Sequence, residues 1–217
     1  RRFWGLAVCI ALGGLFKWTI YLLWIFIFLW EWKKKRAFFG RFCLGILISL
    51  LGLFPSIIWN MTHEWASFWH VFHGVFAQKA SGDPLIFKGI FKGNPLEFFG
   101  AQFGVFSPVF FIMMLLALRY YGKRKGEVSQ VLEFSCFVTK WSLCFLCIFS
   151  LFNKLQANWG VFLYPTGVIV LSSYAAENVR NRRFFWGGLV FSLFLSFFAL
   201  SIPVMQRNET LGLKIPI

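Results

Sequence analysis

Residues 33–60 read KKKRAFFGRFCLGILISLLGLFPSIIWN, a basic cluster that is followed directly by a long apolar run. The run from 42 to 60 contains no charged residue and is long enough to cross the roughly 30 Å of membrane hydrocarbon as a helix. Lys and Arg beside such a run are typical of its cytoplasmic end. The stretch therefore predicts a membrane-spanning helix that starts on the cytoplasmic side.

The same layout recurs along the chain. Further apolar runs of spanning or nearly spanning length follow, at 96–118, 131–152, 157–175 and 184–204. If all of them span, the basic loops 31–41, 119–126 and 177–183 fall on one face, and the positive-inside rule makes that face cytoplasmic. Loop 61–95 and the C-terminus then lie outside. We predict a multi-pass protein of the cell inner membrane.

Residues 3–30 are apolar but interrupted by Gly13-Gly14 and by Lys17. One tilted helix would bury Lys17 in mid-membrane at a cost of about 2.5–3.5 kcal/mol. A hairpin of two short helices that turns near Lys17 avoids this burial and places both basic flanks on one side. We favour the hairpin, and a single helix remains the alternative.

The composition agrees with a membrane protein. Of 217 residues, 59% are hydrophobic and only 14% are charged, against roughly 25% in soluble domains. The predicted fold is all-α, a polytopic transmembrane bundle over 1–217 with about five to seven segments. The net charge of +14 lies at the ends of the apolar runs, which indicates the lipid bilayer rather than nucleic acid as partner. Because the chain opens on Arg1, we expect a segment of a longer protein.

Loop 61–95 is rich in aromatic residues and predicts an interfacial amphipathic helix from His63 to Phe76. On one helix, His63, His70 and His73 would share a face, and we take them as candidates for sugar or acceptor binding. Such imidazoles could also chelate a divalent metal, although no His-Glu-x-x-His motif is present. We expect no cofactor and no metal, with a divalent metal as the alternative.

Two further groups of residues could bind a phosphorylated sugar lipid. Lys17 in its apolar surroundings would suit a lipid phosphate, although snorkelling to the interface would also explain it. The stretch from 154 to 159 offers Lys154 for phosphate, the amides of Gln156 and Asn158 for hydroxyls, and the Trp159 indole for sugar C–H groups. Helix capping with an aromatic anchor is the alternative for this stretch.

Together these motifs resemble the bacterial branch of the protein O-mannosyltransferase superfamily, GT-C membrane glycosyltransferases that include the lipid A aminoarabinose transferase. The resemblance rests on segments in family order over about 1–175: Gly5 to Thr19, Phe54 to Asn60 with His63 to Phe68, Phe98 to Pro108, and Ala157 to Trp159. Gly160 stands where the family has Pro after its Ala-Asn-Trp turn.

The resemblance implies transfer of a sugar from a polyprenyl-phosphate donor to a lipid, glycan or protein acceptor on the outer face. It also implies that Lys17 is the lysine of the family's Ser-Lys-Tyr motif. The family's catalytic carboxylate lies in the first outer loop, so the general base is expected upstream of Arg1 and this segment would lack it. The alternative function is a lipid or solute transporter or a non-catalytic membrane subunit.

Overall fold

The computed structural model describes residues 2–34, 39–76, 93–124 and 126–207, and within these ranges the secondary structure is helical. The α-helices are α1 (Arg2–Phe16), α2 (Leu23–Lys33), α3 (Phe39–Ser49), α4 (Phe54–Thr62), α5 (Ala66–Phe76), α6 (Pro95–Phe106), α7 (Pro108–Gly122), α8 (Gln130–Phe152), α9 (Tyr164–Glu177) and α10 (Val179–Arg207). Short 3₁₀ turns occupy Trp18–Leu22, Leu50–Leu53 and Ala157–Leu163.

The predicted all-α polytopic bundle is confirmed. In the described ranges, four helical runs are long and apolar enough to cross a membrane: Phe39–Thr62, Gln130–Phe152, Ala157–Glu177 and Val179–Ile202. A bent pair, α6 with α7, raises the number to five if it counts as one span. The predicted loop 61–95 contains α5, while its residues 77–92 lie outside the described part of the chain, as does the tail from 208.

The break predicted near Lys17 is present. Lys17 adopts an extended conformation (φ −156°, ψ 122°) between α1 and the 18–22 turn. The chain then folds back, because Gly13 lies against Ile20 and Gly14 against Tyr21. The absence of a side chain at both glycines permits this close return of the chain.

The sequence predicts one helix for the run 96–118, but the structure shows two helices with a sharp bend between them. The axes of α6 and α7 differ by 107° at Ser107, which has φ 68° and ψ 138°. The cause is local: Pro108 lacks an N–H and its ring disfavours the helical conformation for the residue before it. The apolar run is therefore divided into two short helices.

The core is built around α8, which contacts α2, α7 and α9. Phe26, Met114, Val138, Leu146 and Phe162 form its central cluster, each at most 4% exposed. By contrast, α10 packs against α7 and α9 and leaves many large apolar side chains exposed, as a lipid-facing helix would.

Ion pairs tie the helices together at one end of the bundle. The Lys34 ammonium lies 3.1 Å from the Glu133 carboxylate and joins the end of α2 to the start of α8. The end of α7 meets the end of α9 where Arg124 lies 3.8 Å from Glu177, and the hydroxyls of Tyr120 and Tyr121 donate to the same carboxylate. We call this the basic end; its cytoplasmic location stays a prediction.

Candidate functional site

Lys17 lies at the opposite end of the bundle, in the break after α1, and is half-buried. Its neighbour Trp18 donates from Nε1 to the Ser56 hydroxyl (3.3 Å) and contacts the ring of Phe68 on α5 at 4.6 Å between centroids. Within the described ranges, no side chain forms an ion pair with Lys17. Burial lowers the pKa of its ammonium, because desolvation disfavours the charged form. The site is thus a cation without a protein counter-ion among the described residues.

A buried carboxamide fixes the turn that brings α5 to Trp18. Asn60 is 1% exposed; its Nδ2 donates to the Ser56 carbonyl (2.7 Å), and its Oδ1 accepts from the Ser67 backbone N–H (3.0 Å). In the same turn, Glu64 and Trp65 have φ values of 52° and 59°. Such left-handed conformations are costly for large residues and persist only when their surroundings impose them. The Asn60 hydrogen bonds supply that constraint.

The predicted helix from His63 to Phe76 is shorter than expected, because the chain turns at 63–65 and α5 begins at Ala66. His63 therefore ends α4 instead of sharing a helix face with His70. Its ring stacks on Trp59 at 4.1 Å, and Nδ1 donates to the Trp59 carbonyl (2.8 Å). His70 is exposed on α5, and the side chain of His73 lies outside the described residues.

The predicted binding roles of these histidines stay predictions. Across the described ranges, no three His, Cys, Asp or Glu side chains are grouped so that they could hold a metal ion. The divalent-metal alternative also stays a prediction, now without the shared helix face of His63 that first suggested it.

The stretch 154–159 reaches the same end of the bundle as Lys17, because the 157–163 turn contacts the 18–22 turn. Gln156 and Asn158 are exposed, and Trp159 is half-buried with its ring stacked 6.2 Å from that of Phe149. The Lys154 ammonium lies 3.3 Å from a carboxylate oxygen of Glu97, and both side chains are about half exposed. Unlike Lys17, Lys154 therefore has a protein counter-ion.

Gln102 on α6 is a functional candidate that sequence reasoning named only as part of a motif. It is 2% exposed, and its Nε2 donates to the carbonyls of Phe98 (3.2 Å) and Ala157 (3.0 Å). Its Oε1 accepts from the Tyr164 hydroxyl. We call the end of the bundle that contains Lys17, Asn60, Gln102 and the 154–159 stretch the amide end.

Lys17, Gln156 and Asn158 thus lie at one end of an apolar helical bundle. Over 127 residues, 58% of this chain, the sequence is 27% identical to the lipid A galacturonosyltransferase RgtD of Rhizobium johnstonii. The matched stretch is 25% of that protein, so the chain spans about a quarter of this relative. No family model and no solved structure matches the chain.

Proposed function

We propose that the chain is part of a GT-C membrane glycosyltransferase that transfers a sugar from a polyprenyl-phosphate donor to a lipid, glycan or protein acceptor outside the inner membrane. The relative is by name a transferase that acts on lipid A, which supports a lipid acceptor. The observation that carries the proposal is Lys17, a half-buried cation that has no protein counter-ion among the described residues. An anion of a bound lipid would complete the site.

In this reaction an acceptor hydroxyl oxygen attacks the anomeric carbon of the donor sugar. The bond from that carbon to the phosphate oxygen breaks, its electron pair stays on the departing polyprenyl phosphate, and the sugar configuration inverts. The hydroxyl proton goes to a general base. The Lys17 ammonium stabilises the negative charge that develops on the leaving phosphate.

The 154–159 stretch supplies recognition in this proposal. The exposed amides of Gln156 and Asn158 bind sugar or acceptor hydroxyls, and the Trp159 ring lies beside the sugar. His63, His70 and His73 bind the sugar or acceptor from the neighbouring α4–α5 segment. Lys154 is the secondary phosphate ligand, because it must first leave Glu97. We expect neither cofactor nor metal.

Replacing Lys17 with Met tests the proposal, because Met keeps the length of the side chain and removes the charge. The full-length protein in lipid nanodiscs is titrated with undecaprenyl phosphate, with Lys123→Met at the basic end as the charge-matched control. We expect Lys17→Met to weaken binding at least tenfold and Lys123→Met to leave it within twofold. Equal affinities for the wild type and Lys17→Met would contradict the role of Lys17.

A transporter or a non-catalytic subunit is the second candidate, and the bend of 107° between α6 and α7 favours it. Transporters commonly carry discontinuous helices at their binding sites. Proteoliposomes distinguish the two functions: transfer of labelled sugar from donor lipid to an acceptor supports the transferase. Lipid or solute movement in the absence of any transfer supports the transporter.

A further inference from the structure

We propose that Gln102 is a positioning residue that holds the Ala157–Trp159 turn on α6. Because this turn contacts the 18–22 turn that follows Lys17, the donor phosphate and the sugar or acceptor are then bound at a fixed distance from each other. This inference rests on the proposed function. Gln102 is 2% exposed and therefore acts through its partners and not by touching substrate.

The side chain joins segments that are distant in sequence. From α6, Nε2 reaches the carbonyl of Ala157, 55 residues further along the chain, and Oε1 receives the hydroxyl of Tyr164 at the start of α9. The ring of Tyr164 is itself held by stacking on Phe106, at 4.3 Å and 7° between planes. The residue directly after Ala157 is Asn158, whose exposed amide is a proposed ligand. The position of that amide is thus set by Gln102.

A carboxamide is required because it donates and accepts at the same time. An apolar side chain would leave a buried carbonyl and a buried hydroxyl without partners. An ionised carboxylate could accept from Tyr164 but could not donate to Ala157. A protonated carboxyl could do both. Gln102→Glu should therefore keep the bonds to Ala157 and Tyr164 while the carboxyl is protonated and lose the bond to Ala157 when it is ionised.

Gly160 permits the close approach of the amide. A Cβ at this position would lie 2.7 Å from Oε1 of Gln102 and 3.4 Å from the hydroxyl of Tyr164. A side chain at position 160 would therefore displace the Gln102 amide from its present position. Second-layer contacts of this kind hold binding groups in place before the substrate arrives.

The test compares Gln102→Glu and Gln102→Met with Gln130→Glu, an exposed glutamine at the start of α8 that serves as control. Transfer rate and acceptor KM are measured between pH 5 and pH 9, together with affinity for undecaprenyl phosphate. Three titratable groups near position 102 could also affect the pH profile. The Tyr164 hydroxyl donates to Gln102, Glu97 lies in the first turn of α6, and Lys154 is the ion-pair partner of Glu97.

We expect Gln102→Glu to approach wild-type transfer at low pH and to lose at least tenfold relative to it as pH rises. Gln102→Met should lose at least tenfold at every pH, and Tyr164→Phe, which removes one bond, should lose less. Donor-lipid affinity should stay within twofold in all variants. A wild-type pH profile in Gln102→Glu, or a parallel loss of donor binding and transfer, would overturn the proposal.

A second measurement keeps this proposal separate from the proposed function. Amide hydrogen exchange of the wild type and Gln102→Met in nanodiscs needs no activity. Faster exchange confined to residues 157–163 supports positioning by Gln102, even if the wild type transfers no sugar and the transferase assignment fails. Unchanged exchange in this segment overturns positioning, whatever the activity.

Discussion

The two ends of the bundle are held by different chemistry. At the basic end, Lys34 and Glu133 are about 30% exposed and attract each other as full charges. At the amide end, Asn60 and Gln102 are at most 2% exposed, and hydrogen bonds orient neutral groups. Exposed charge pairs tolerate rearrangement and are screened by salt, whereas a buried amide requires specific partners. The two buried amides of the amide end therefore depend on specific partners, whereas the exposed pairs do not.

The difference also concerns competition for an anion. A carboxylate beside Lys17 would neutralise it, as Glu97 does for Lys154. The side chains that contact Trp18, the residue after Lys17, are instead neutral, namely the Ser56 hydroxyl and the Phe68 ring. Lys17 therefore has no ion-pair partner among the described residues, as its proposed phosphate role requires.

Crowding the backbone at the amide end should have the largest effect on the free energy of unfolding. A Cβ on Gly93 would lie 1.9 Å from the carbonyl oxygen of Ser150, so Gly93→Ala forces two backbones apart. We expect a loss of about 3 kcal/mol in the free energy of unfolding. Gly122→Ala at the basic end meets no atom within 4 Å and is the control. Equal thermal midpoints for the two variants in detergent would show that the close backbone contact at Gly93 does not matter more for stability than the open position at Gly122.

Removing the Asn60 amide should have the next largest effect. Asn60→Leu leaves the Ser67 N–H without its acceptor and releases the left-handed turn, which we expect to lower the free energy of unfolding by about 2 kcal/mol. Asn181→Leu removes a half-buried asparagine from the basic end and should cost less. Proteolysis between α4 and α5 provides the readout: faster cleavage is expected in Asn60→Leu alone.

Breaking an ion pair at the basic end should have the smallest effect. We expect Lys34→Met to change the free energy of unfolding by at most about 1 kcal/mol, since the pair with Glu133 is partly exposed. The difference from the wild type should shrink as salt is raised from 0.05 to about 1 M, where the Debye length falls to about 3 Å. A loss comparable to that of Asn60→Leu would show that the ion pair stabilises the basic end as strongly as the buried amide stabilises the amide end.

The break at Lys17 could be predicted because its causes are local. Two glycines and a cation inside an apolar run disfavour a continuous helix, and the structure places the break there. The bend at Ser107 also had a local signal in Pro108, but the surrounding run is apolar and of spanning length, and hydrophobicity alone does not reveal a change of direction.

Other features could not be predicted, because they depend on contacts between distant segments. No propensity rule favours left-handed Glu64 and Trp65; the Asn60 bonds that hold them exist only in the folded turn. The role of Gln102 is not visible without its partners Ala157 and Tyr164. A glutamine in an apolar run indicates a polar contact but does not identify it.

The Gln102–Ala157 hydrogen bond also sets an order for biogenesis. Ribosomes make the chain from its N-terminus, so Gln102 enters the membrane 55 residues before the carbonyl that it binds. The amide lacks this hydrogen-bond partner while α7 and α8 are translated and inserted. The amide end therefore closes only after residues 157–164 have emerged, and a nascent chain halted before that point exposes Gln102 to lipid or to the insertion machinery.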